Sequence, residues 1–297
     1  MTVVRHRRVE VGSVGVFYRE SVPDEPDVPV LLLLHGFPSG SHQFRGLIDT
    51  LGSRYWVIAP DYPGFGHTET PEGFAYRFDR LADIIESFIT RLGLTRFVPY
   101  VFDYGAPVGF RLALRHPQWI AGIVAQNGNA YVEGLSGSFK SLVARRPGEP
   151  GAGEALRRRL TPDSIRAMHV GGASDPELID PDIWTLDEHF LGQPGRMDAV
   201  VSLMFDYHSN IEQYPQWQRW LRAHTPPTLV IWGKNDPIFP EPGAHAYLRD
   251  VPEAEVHILD TGHFALEDKL PEITPLIADF LDRLGSATSP RRAHSQT

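Results

Sequence analysis

Five consecutive apolar residues, Val30 to Leu34, are the feature that most restricts how this chain can fold. A strand that is apolar at every position is buried on both faces, which is typical of a parallel sheet covered by helices. Strand-like runs recur at 55–59, 97–102, 120–126, 228–232 and 256–259, and segments of helical character separate several of them. The alternation predicts an α/β domain with a mostly parallel sheet and helices on both faces.

Local signals predict a hairpin near the start of the chain and two helices further along it. Gly12-Ser13 predicts the turn of an opening hairpin that continues through Val14 to Tyr18. Apolar residues at three- and four-residue steps predict an amphipathic helix from Phe78 to Leu92, and Gly93 predicts its end. A closing helix is predicted over residues 273–284.

The pattern of the sequence changes between residues 129 and 222. This stretch has several Pro breaks and helix-like segments, but no strand alternation. We therefore expect a core formed by residues 1–128 and 223–285, with a helical cap inserted at 129–222. Residues 286–297 are rich in Ser, Pro and Arg and are expected to form a disordered tail.

Composition restricts the partners that this chain of 297 residues can have. The formal charge of -9 argues against a nucleic-acid partner, and the short apolar runs argue against a membrane partner. The absence of cysteine and of an apolar leader is compatible with a soluble, cytoplasmic enzyme. No metal-binding cluster, G-x-G-x-x-G motif or Walker loop is visible in the sequence, so we expect no cofactor. No feature predicts the oligomeric state.

A candidate nucleophile stands in the segment Val101-Phe102-Asp103-Tyr104-Gly105, between a predicted strand and a predicted helix. A side chain on such a sharp bend needs small neighbours, and Gly105 and Ala106 provide them. Asp at this position is also a common helix N-cap, so the motif alone leaves both interpretations open.

Two further polar residues follow predicted strands. Asp236, in Gly233-Lys234-Asn235-Asp236-Pro237, comes after the strand that ends at Trp232, and His263 follows the next strand. The carboxyl ends of parallel strands form the edge at which α/β sheets bind ligands. An isolated Asp-Pro is usually a turn and an isolated Gly-His is usually a loop. The order nucleophile, acid, histidine predicts a catalytic triad of Asp103, Asp236 and His263.

With these residues assembled, the sequence resembles the α/β-hydrolase superfamily, and within it the epoxide hydrolases and haloalkane dehalogenases that use an aspartate nucleophile. The resemblance covers about residues 10–285 and includes Asp61-Tyr62-Pro63-Gly64-Phe65-Gly66, which is similar to the family's D-x-P-G-x-G turn. It implies an α/β-hydrolase fold with an eight-stranded, mostly parallel sheet and a helical cap. The chain departs from the family at Phe102 and Tyr104, where His and Trp are common.

The resemblance also implies an oxyanion hole formed by the backbone amides of Phe37 and Tyr104. Phe37 lies in His35-Gly36-Phe37-Pro38, directly after the first apolar run. In this loop His35, Gly36 and Pro38 are expected to order the backbone, and His35 is not expected to carry protons.

Aspartate as nucleophile predicts attack on sp³ carbon and an alkyl-ester intermediate, which His263 hydrolyses by activating water. We expect a small apolar organic substrate, with epoxide hydrolysis to a vicinal diol as the leading hypothesis. Epoxide hydrolases typically use two cap tyrosines, and the resemblance indicates Tyr207 and, more loosely, Tyr131 for stabilising the leaving group. Structural packing is the alternative role for both tyrosines.

Three alternatives remain open at this stage. A haloalkane dehalogenase would need weak donors for the halide, which Trp184 or Trp217 could supply if either reached the pocket. An ester or carbon-carbon bond hydrolase would usually carry Ser in a G-x-S-x-G motif, which this sequence lacks. A non-catalytic binding protein of the same fold would be favoured by loss of a triad member, and none is lost.

Overall fold

The structure is a computed structural model that describes residues 2–25 and 27–285. Over these residues the chain forms an eight-stranded sheet in the order β1-β2-β4-β3-β5-β6-β7-β8. The strands are β1 (Arg5–Val11), β2 (Val14–Ser21), β3 (Val30–Leu34), β4 (Trp56–Pro60), β5 (Val98–Phe102), β6 (Ile123–Gln126), β7 (Thr228–Gly233) and β8 (Glu255–Leu259). The expected disordered tail, 286–297, lies outside the described residues.

The sheet combines an antiparallel edge with a parallel centre. β1 pairs with β2 as the predicted hairpin, and β2 pairs antiparallel with β4. From β4 through β3, β5, β6 and β7 to β8, every neighbouring pair is parallel. The mostly parallel sheet expected from the apolar runs is therefore confirmed.

Helices cover both faces of this sheet. Twelve α-helices occur in the described part of the chain: α1 (Arg45–Leu51), α2 (Phe78–Leu92), α3 (Gly105–Arg115), α4 (Gly137–Val143), α5 (Ala152–Arg157), α6 (Pro162–Val170), α7 (Pro181–Leu191), α8 (Arg196–Asp206), α9 (His208–His224), α10 (Pro242–Ala246), α11 (Ala265–Asp268) and α12 (Leu270–Leu284).

The central strand β3 shows why the sheet needs two helical layers. All five of its side chains are buried, and successive side chains point to opposite faces. Leu32 and Leu34 join the apolar core that contains residues of α2 and α3, whereas Leu31 and Leu33 join the core formed with α1 and α12. Burying one such leucine contributes about 2 kcal/mol.

Helix α2 ends where the sequence predicts. Gly93 adopts a φ of +69°, which a residue without Cβ reaches at no steric cost. The amide of Leu94 then donates to the carbonyl of Ile89, which closes the last turn.

Six helices, α4 to α9, lie between β6 and β7 and correspond to the region assigned to the cap. The division between core and cap at residues 128 and 223 stays a prediction. The buried Arg111 of α3 joins the core to α9, because its guanidinium donates to Asp79 of α2 at 2.5 Å and to Asn210 at 2.7 Å. Asp206 at the end of α8 accepts from the amide of Phe78 at 2.8 Å.

A second buried connection joins the helical region to the core. His42, which lies just before α1, and His169 of α6 both approach the carboxylate of Asp187 in α7, at 3.1 and 2.8 Å. All three side chains are buried. Although burial opposes the charge, hydrogen bonds from His169 and His42 hold the pKa of Asp187 below its ordinary value. Along residues 2–25 and 27–285, no helix combines the length and apolar character needed to cross a bilayer.

Candidate active site

Asp103 stands on a sharp bend between β5 and α3. Its backbone has a φ of +47°, in the left-handed region that side chains other than glycine rarely adopt. A Cβ at Gly105 would overlap the carbonyl oxygen of Leu34, and one at Gly36 would overlap the side chain of Asp103. Glycine at both positions therefore allows β3 and its loop to approach the aspartate closely.

The two carboxylate oxygens of Asp103 have different surroundings. Oδ1 accepts a hydrogen bond from the amide of Phe37 at 2.7 Å, and the amide of Tyr104 also donates to this carboxylate. Oδ2 faces Nε2 of His263 at 3.9 Å. Burial raises the pKa of Asp103 to about 6, despite the opposing effects of the His263 charge and the two amides.

His263 is oriented by Asp236. Nδ1 of the imidazole lies 2.6 Å from Oδ2 of Asp236, while Oδ1 of that carboxylate accepts from the amides of Ile238 and Phe239 at 2.7 and 3.1 Å. An ionised carboxylate only accepts hydrogen bonds, so Nδ1 carries a proton and Nε2 is the basic nitrogen of the neutral ring. Nε2 is buried and has no hydrogen-bond partner in the described part of the protein.

Electrostatics favour a proton on this histidine. Burial alone would lower the pKa of His263, but the neighbouring charges of Asp236 and Asp103 hold it above its ordinary value. The arrangement can therefore accept a proton at Nε2 and stabilise the resulting imidazolium. The structure thus brings together all three residues of the triad predicted from the sequence.

The loop after β3 is tied to the loop after β4. Nδ1 of His35 lies 2.9 Å from the carbonyl oxygen of Gly36, and the amide of Tyr62 donates to Nε2 of His35 at 3.0 Å. Burial lowers the pKa of His35 to about 4, so the ring is neutral at pH 7. Pro38 follows Phe37 through a cis peptide bond. His35 thus contacts the backbone of both loops, and the loop-ordering role predicted for His35, Gly36 and Pro38 stays a prediction.

A cavity of about 220 Å³ opens next to Asp103. Its polar and charged lining consists of Asp103, Tyr104, Ser136, Ser138, Arg159 and Ser164. Most of the other lining residues are apolar and come from the region between β6 and β7, namely Phe139, Leu142, Leu156, Leu160, Met168 and Met204, together with Phe37, Pro237 and Ile238. The cavity thus presents a largely apolar surface to whatever approaches the aspartate.

Tyr207, at the junction of α8 and α9, is not among the residues that line this cavity, but it packs against two of them. Its ring packs edge-on against Phe139, with centroids 4.8 Å apart, and lies 6.2 Å from the ring of Tyr104. Both of these partners line the cavity. Burial and, to a smaller degree, the charge of Asp103 raise the pKa of Tyr207.

Tyr214 of α9 is a residue that sequence reasoning missed. Its hydroxyl is hydrogen-bonded to that of Tyr207 and accepts from the side chain of Asn129 at 3.2 Å. Asp103 contributes electrostatically to the raised pKa of Tyr214 as well, after burial. Two residues seven apart share one face of a helix, so the spacing from Tyr207 was a usable signal.

Three other candidates lie away from the cavity lining. The hydroxyl of Tyr131 donates to Asp250 at 2.9 Å, so it is already engaged within the core. The ring of Trp217 stacks on Phe110 at 5.3 Å, and that of Trp184 lies under the guanidinium of Arg166. The structure therefore does not bring Tyr131, Trp184 or Trp217 to Asp103.

Asn127 is a second residue that sequence reasoning missed. It directly follows β6, and its side-chain amide donates to Oδ2 of Asp236 at 2.7 Å. The available signal was a polar residue at the carboxyl end of a core strand, the same rule that indicated Asp236 and His263. Among the described residues, no group of three or more His, Asp or Glu side chains is arranged to hold a metal ion.

Comparison with known proteins agrees with this geometry. Residues 29–270 match the family model of the alpha/beta hydrolase fold. An uncharacterized hydrolase of Saccharomyces cerevisiae is 43% identical over 271 residues, which cover 89% of this chain and 93% of the yeast protein. Haloalkane dehalogenase 2 of Mycobacterium tuberculosis is 38% identical over 104 residues, or 35% of this chain and 36% of that enzyme.

A solved structure, that of the epoxide hydrolase CorEH, is similar over 95% of this chain and 100% of the other, with a TM-score of 0.77 and 16% identity. The sheet order, the bend at Asp103 and these matches define the class to which the molecule belongs. The chain belongs to the α/β-hydrolase family. It is a hydrolase, as the sequence resemblance implied.

Proposed function

We propose that the protein hydrolyses epoxides to vicinal diols through an alkyl ester on Asp103. The observation that carries this proposal is the asymmetric setting of the Asp103 carboxylate. Oδ1 is held by the amide of Phe37 at 2.7 Å, whereas Oδ2 lies 3.9 Å from the basic nitrogen of His263. One oxygen is thus fixed in an oxyanion hole and the other is left to attack.

In the first step, Oδ2 of Asp103 attacks an epoxide carbon and the carbon-oxygen bond of the ring breaks. The leaving oxygen stays attached to the substrate as an alkoxide and takes the hydroxyl proton of Tyr207. Tyr214 holds this hydroxyl in place, because the two hydroxyls are hydrogen-bonded to each other, and the bond helps to raise the pKa of Tyr207 so that Tyr207 stays protonated until the ring opens. General-acid assistance of this kind contributes roughly 10²- to 10⁴-fold in rate.

In the second step, His263 takes a proton from water at Nε2 as that water attacks the ester carbon of Asp103. The negative charge develops on Oδ1, where the amide of Phe37 already donates, and the amide of Tyr104 also donates to this carboxylate. When the intermediate collapses, the product alkoxide takes the proton from His263. The acid proton left on Asp103 returns to Tyr207 and regenerates the starting enzyme.

The occupied oxyanion hole argues against the ester-hydrolase alternative. A serine hydrolase leaves its hole open for the carbonyl oxygen of the substrate, whereas here Oδ1 of Asp103 accepts from the Phe37 amide. A carbonyl from outside would have to displace the enzyme's own carboxylate. The contact of His263 with Asp236 at 2.6 Å also disfavours a purely non-catalytic role, since a binding protein has no need of an oriented base.

Haloalkane dehalogenation is the second candidate, because it would use the same aspartate and the same ester. The similarity to haloalkane dehalogenase 2 over 104 residues favours it. Against it, the two tryptophans considered as halide donors pack elsewhere, Trp217 on Phe110 and Trp184 near Arg166. The phenols of Tyr207 and Tyr214 suit an alkoxide leaving group better than a halide. The largely apolar lining of the cavity suits a small apolar substrate, with water as co-substrate.

Single-turnover hydrolysis in ¹⁸O-water tests the ester directly. With enzyme in excess over an epoxide that it hydrolyses, the diol formed in the first turnover should carry ¹⁶O from Asp103. A peptide containing Asp103 should gain ¹⁸O. Direct incorporation of ¹⁸O into the first diol would overturn the mechanism. Parallel assays of diol formation from epoxides and halide release from haloalkanes decide between the two leaving groups, and Asp103→Ala should abolish either activity.

A further inference from the structure

We infer that Asn127 is a positioning residue that sets the proton affinity of His263 by sharing the carboxylate of Asp236. Its Nδ2 donates to Oδ2 of Asp236 at 2.7 Å, and the same oxygen lies 2.6 Å from Nδ1 of His263. The two donors therefore compete for the charge on one oxygen atom. A hydrogen bond to a carboxylate withdraws part of the charge with which it stabilises an imidazolium.

The orientation of the Asn127 amide is determined by its surroundings. Its Oδ1 accepts from the backbone amide of Gly233 at 3.1 Å and from the side-chain amide of Gln126 at 2.6 Å. A backbone amide can only donate, so the oxygen must face Gly233 and the nitrogen must face Asp236. The Asn127 side chain is buried, and the backbone has a φ of +44°, a conformation that asparagine tolerates better than most residues.

Gln126 extends the network to the other side of the histidine. Its amide also donates to the backbone carbonyl of His263 at 3.0 Å, and its oxygen accepts from the hydroxyl of Tyr100 at 3.2 Å. The end of β6 therefore contacts both Asp236 and the backbone of His263. The backbone amides of Ile238 and Phe239 donate to the other oxygen of Asp236, so the Asn127 amide is the side chain that shares Oδ2 with His263. In the chemistry above, it thereby influences how readily Nε2 of His263 accepts a proton from water.

The charged and titratable groups around His263 are few. Asp236 faces Nδ1 from the loop after β7, and Asp103 faces Nε2 from the loop after β5. From α6, His169 stacks on Phe264 at 4.0 Å, and Phe264 in turn contacts the His263 ring edge-on. Asp187 holds His169 from α7. None of these groups replaces Asn127 as a donor to Oδ2 of Asp236.

Two variants separate the electrostatic role of Asn127 from a structural one. Asn127→Gly and Asn127→Ala both remove the donor, but only alanine is strained at a positive φ, so the alanine variant should unfold at lower temperature. In both, His263 should bind a proton about three- to tenfold more tightly, measured by the pH titration of its ring ¹⁵N resonances in the unliganded enzyme. Asn235→Ala is the control, because that exposed amide donates to Gly172 and Asp260.

The kinetic part of the inference rests on the proposed function. With an epoxide substrate, both Asn127 variants should form the Asp103 ester within about twofold of the wild-type rate. They should hydrolyse it about tenfold more slowly at pH 7, with the acid limb of the hydrolysis step shifted to higher pH. The Asn235 variant should resemble the wild type in both steps.

Outcomes distinguish the inference from the function beneath it. An unchanged His263 titration in both variants would overturn the role of Asn127. A shift in the His263 titration that is larger in the variant with the lower melting temperature would do so as well. Equal slowing of ester formation and hydrolysis would do the same. Absence of any ester in the wild type, combined with a shifted His263 titration, would overturn the proposed reaction and leave the control of His263 by Asn127 standing.

Discussion

Nε2 of His263 lies 3.9 Å from Oδ2 of Asp103, beyond the range of a hydrogen bond between them. Direct proton transfer between the two side chains is therefore not the function of this contact, since a carboxylate needs no base in order to attack carbon. In the proposed mechanism the histidine acts instead in the second half of the reaction, where it activates the water that hydrolyses the ester.

Replacing His263 by glutamine should therefore separate the two steps. His263→Gln retains Asp103 and its two amide donors, so the ester should still form, but its hydrolysis should slow by roughly 10²- to 10⁴-fold. Intact-mass spectrometry should show an adduct with the mass of one substrate molecule, located on the peptide containing Asp103. Asp103→Asn provides the control, because it should form no adduct. Failure to trap any adduct with a substrate that the wild type turns over would contradict the assignment.

The pH dependence of the first step follows from the burial of Asp103. Its pKa is raised to about 6, so the nucleophilic carboxylate is lost as pH falls through 6, rather than near 4 as for an exposed aspartate. We expect kcat/KM for an epoxide to fall about tenfold per pH unit below pH 6. Above about pH 7 Asp103 is almost fully ionised, so its ionisation should cause no further rise in kcat/KM. Steady-state kinetics between pH 4.5 and 8 check this, and a plateau that persists down to pH 5 would exclude it.

The two tyrosines beside the cavity should differ in their contribution. Tyr207→Phe removes the proposed acid and should slow epoxide opening by roughly 10²- to 10³-fold. Tyr214→Phe removes only the hydroxyl that supports Tyr207, so about a tenfold loss is expected. Pre-steady-state ester formation is the appropriate measurement, because it isolates the step in which the ring opens.

Tyr131→Phe is the matched control for these two variants. Its hydroxyl donates to Asp250 and not toward the cavity, so ester formation should stay within about twofold of the wild type while stability falls by about 1 kcal/mol. Loss of activity in Tyr131→Phe with normal activity in Tyr207→Phe would reverse the assignment made from the structure.

The triad could be predicted from the sequence because each member follows a strand signal that is local. The apolar runs indicate where β5, β7 and β8 end, and the topology of a parallel sheet brings those ends together. The place of Phe37, in the loop after β3, follows by the same rule, whereas its part in an oxyanion hole was implied by the family resemblance. Strand limits differed by up to three residues, as at β6, where pairing in the main ladder begins at Ile123 and Ile120 forms only an isolated bridge with Phe97.

Residues whose role depends on the region between β6 and β7 could not be predicted in this way. Helical periodicity indicates that helices exist there, but it does not indicate where each helix rests on the core. The sequence made Tyr207 a better aromatic candidate than Tyr131, but only the structure shows that the hydroxyl of Tyr131 donates to Asp250 while that of Tyr207 is hydrogen-bonded to Tyr214. The meeting of His42 with Asp187 likewise joins segments that share no local pattern.

The contact between His42 and Asp187 leads to a prediction about stability. Asp187 is buried between His42 and His169 at 3.1 and 2.8 Å, so Asp187→Ala leaves the buried imidazole of His169 without its acceptor and removes the carboxylate beside His42. We expect a loss of about 2–4 kcal/mol in the free energy of unfolding, measured by denaturant titration at pH 7. Asp180→Ala is the control, since that exposed carboxylate caps the amide of Asp182 and lies 3.8 Å from Arg45, so its removal should cost only about 1 kcal/mol.

The pH dependence of this difference has a definite sign. Because hydrogen bonds from the two histidines hold the pKa of Asp187 below its ordinary value, its contribution is present above the aspartate range near pH 4. It is lost as pH falls through that range toward the folded-state pKa. The gap in stability between wild type and Asp187→Ala should therefore narrow below pH 4. Equal losses in Asp187→Ala and Asp180→Ala at pH 7 would show that the buried carboxylate does not hold the helical region onto the core.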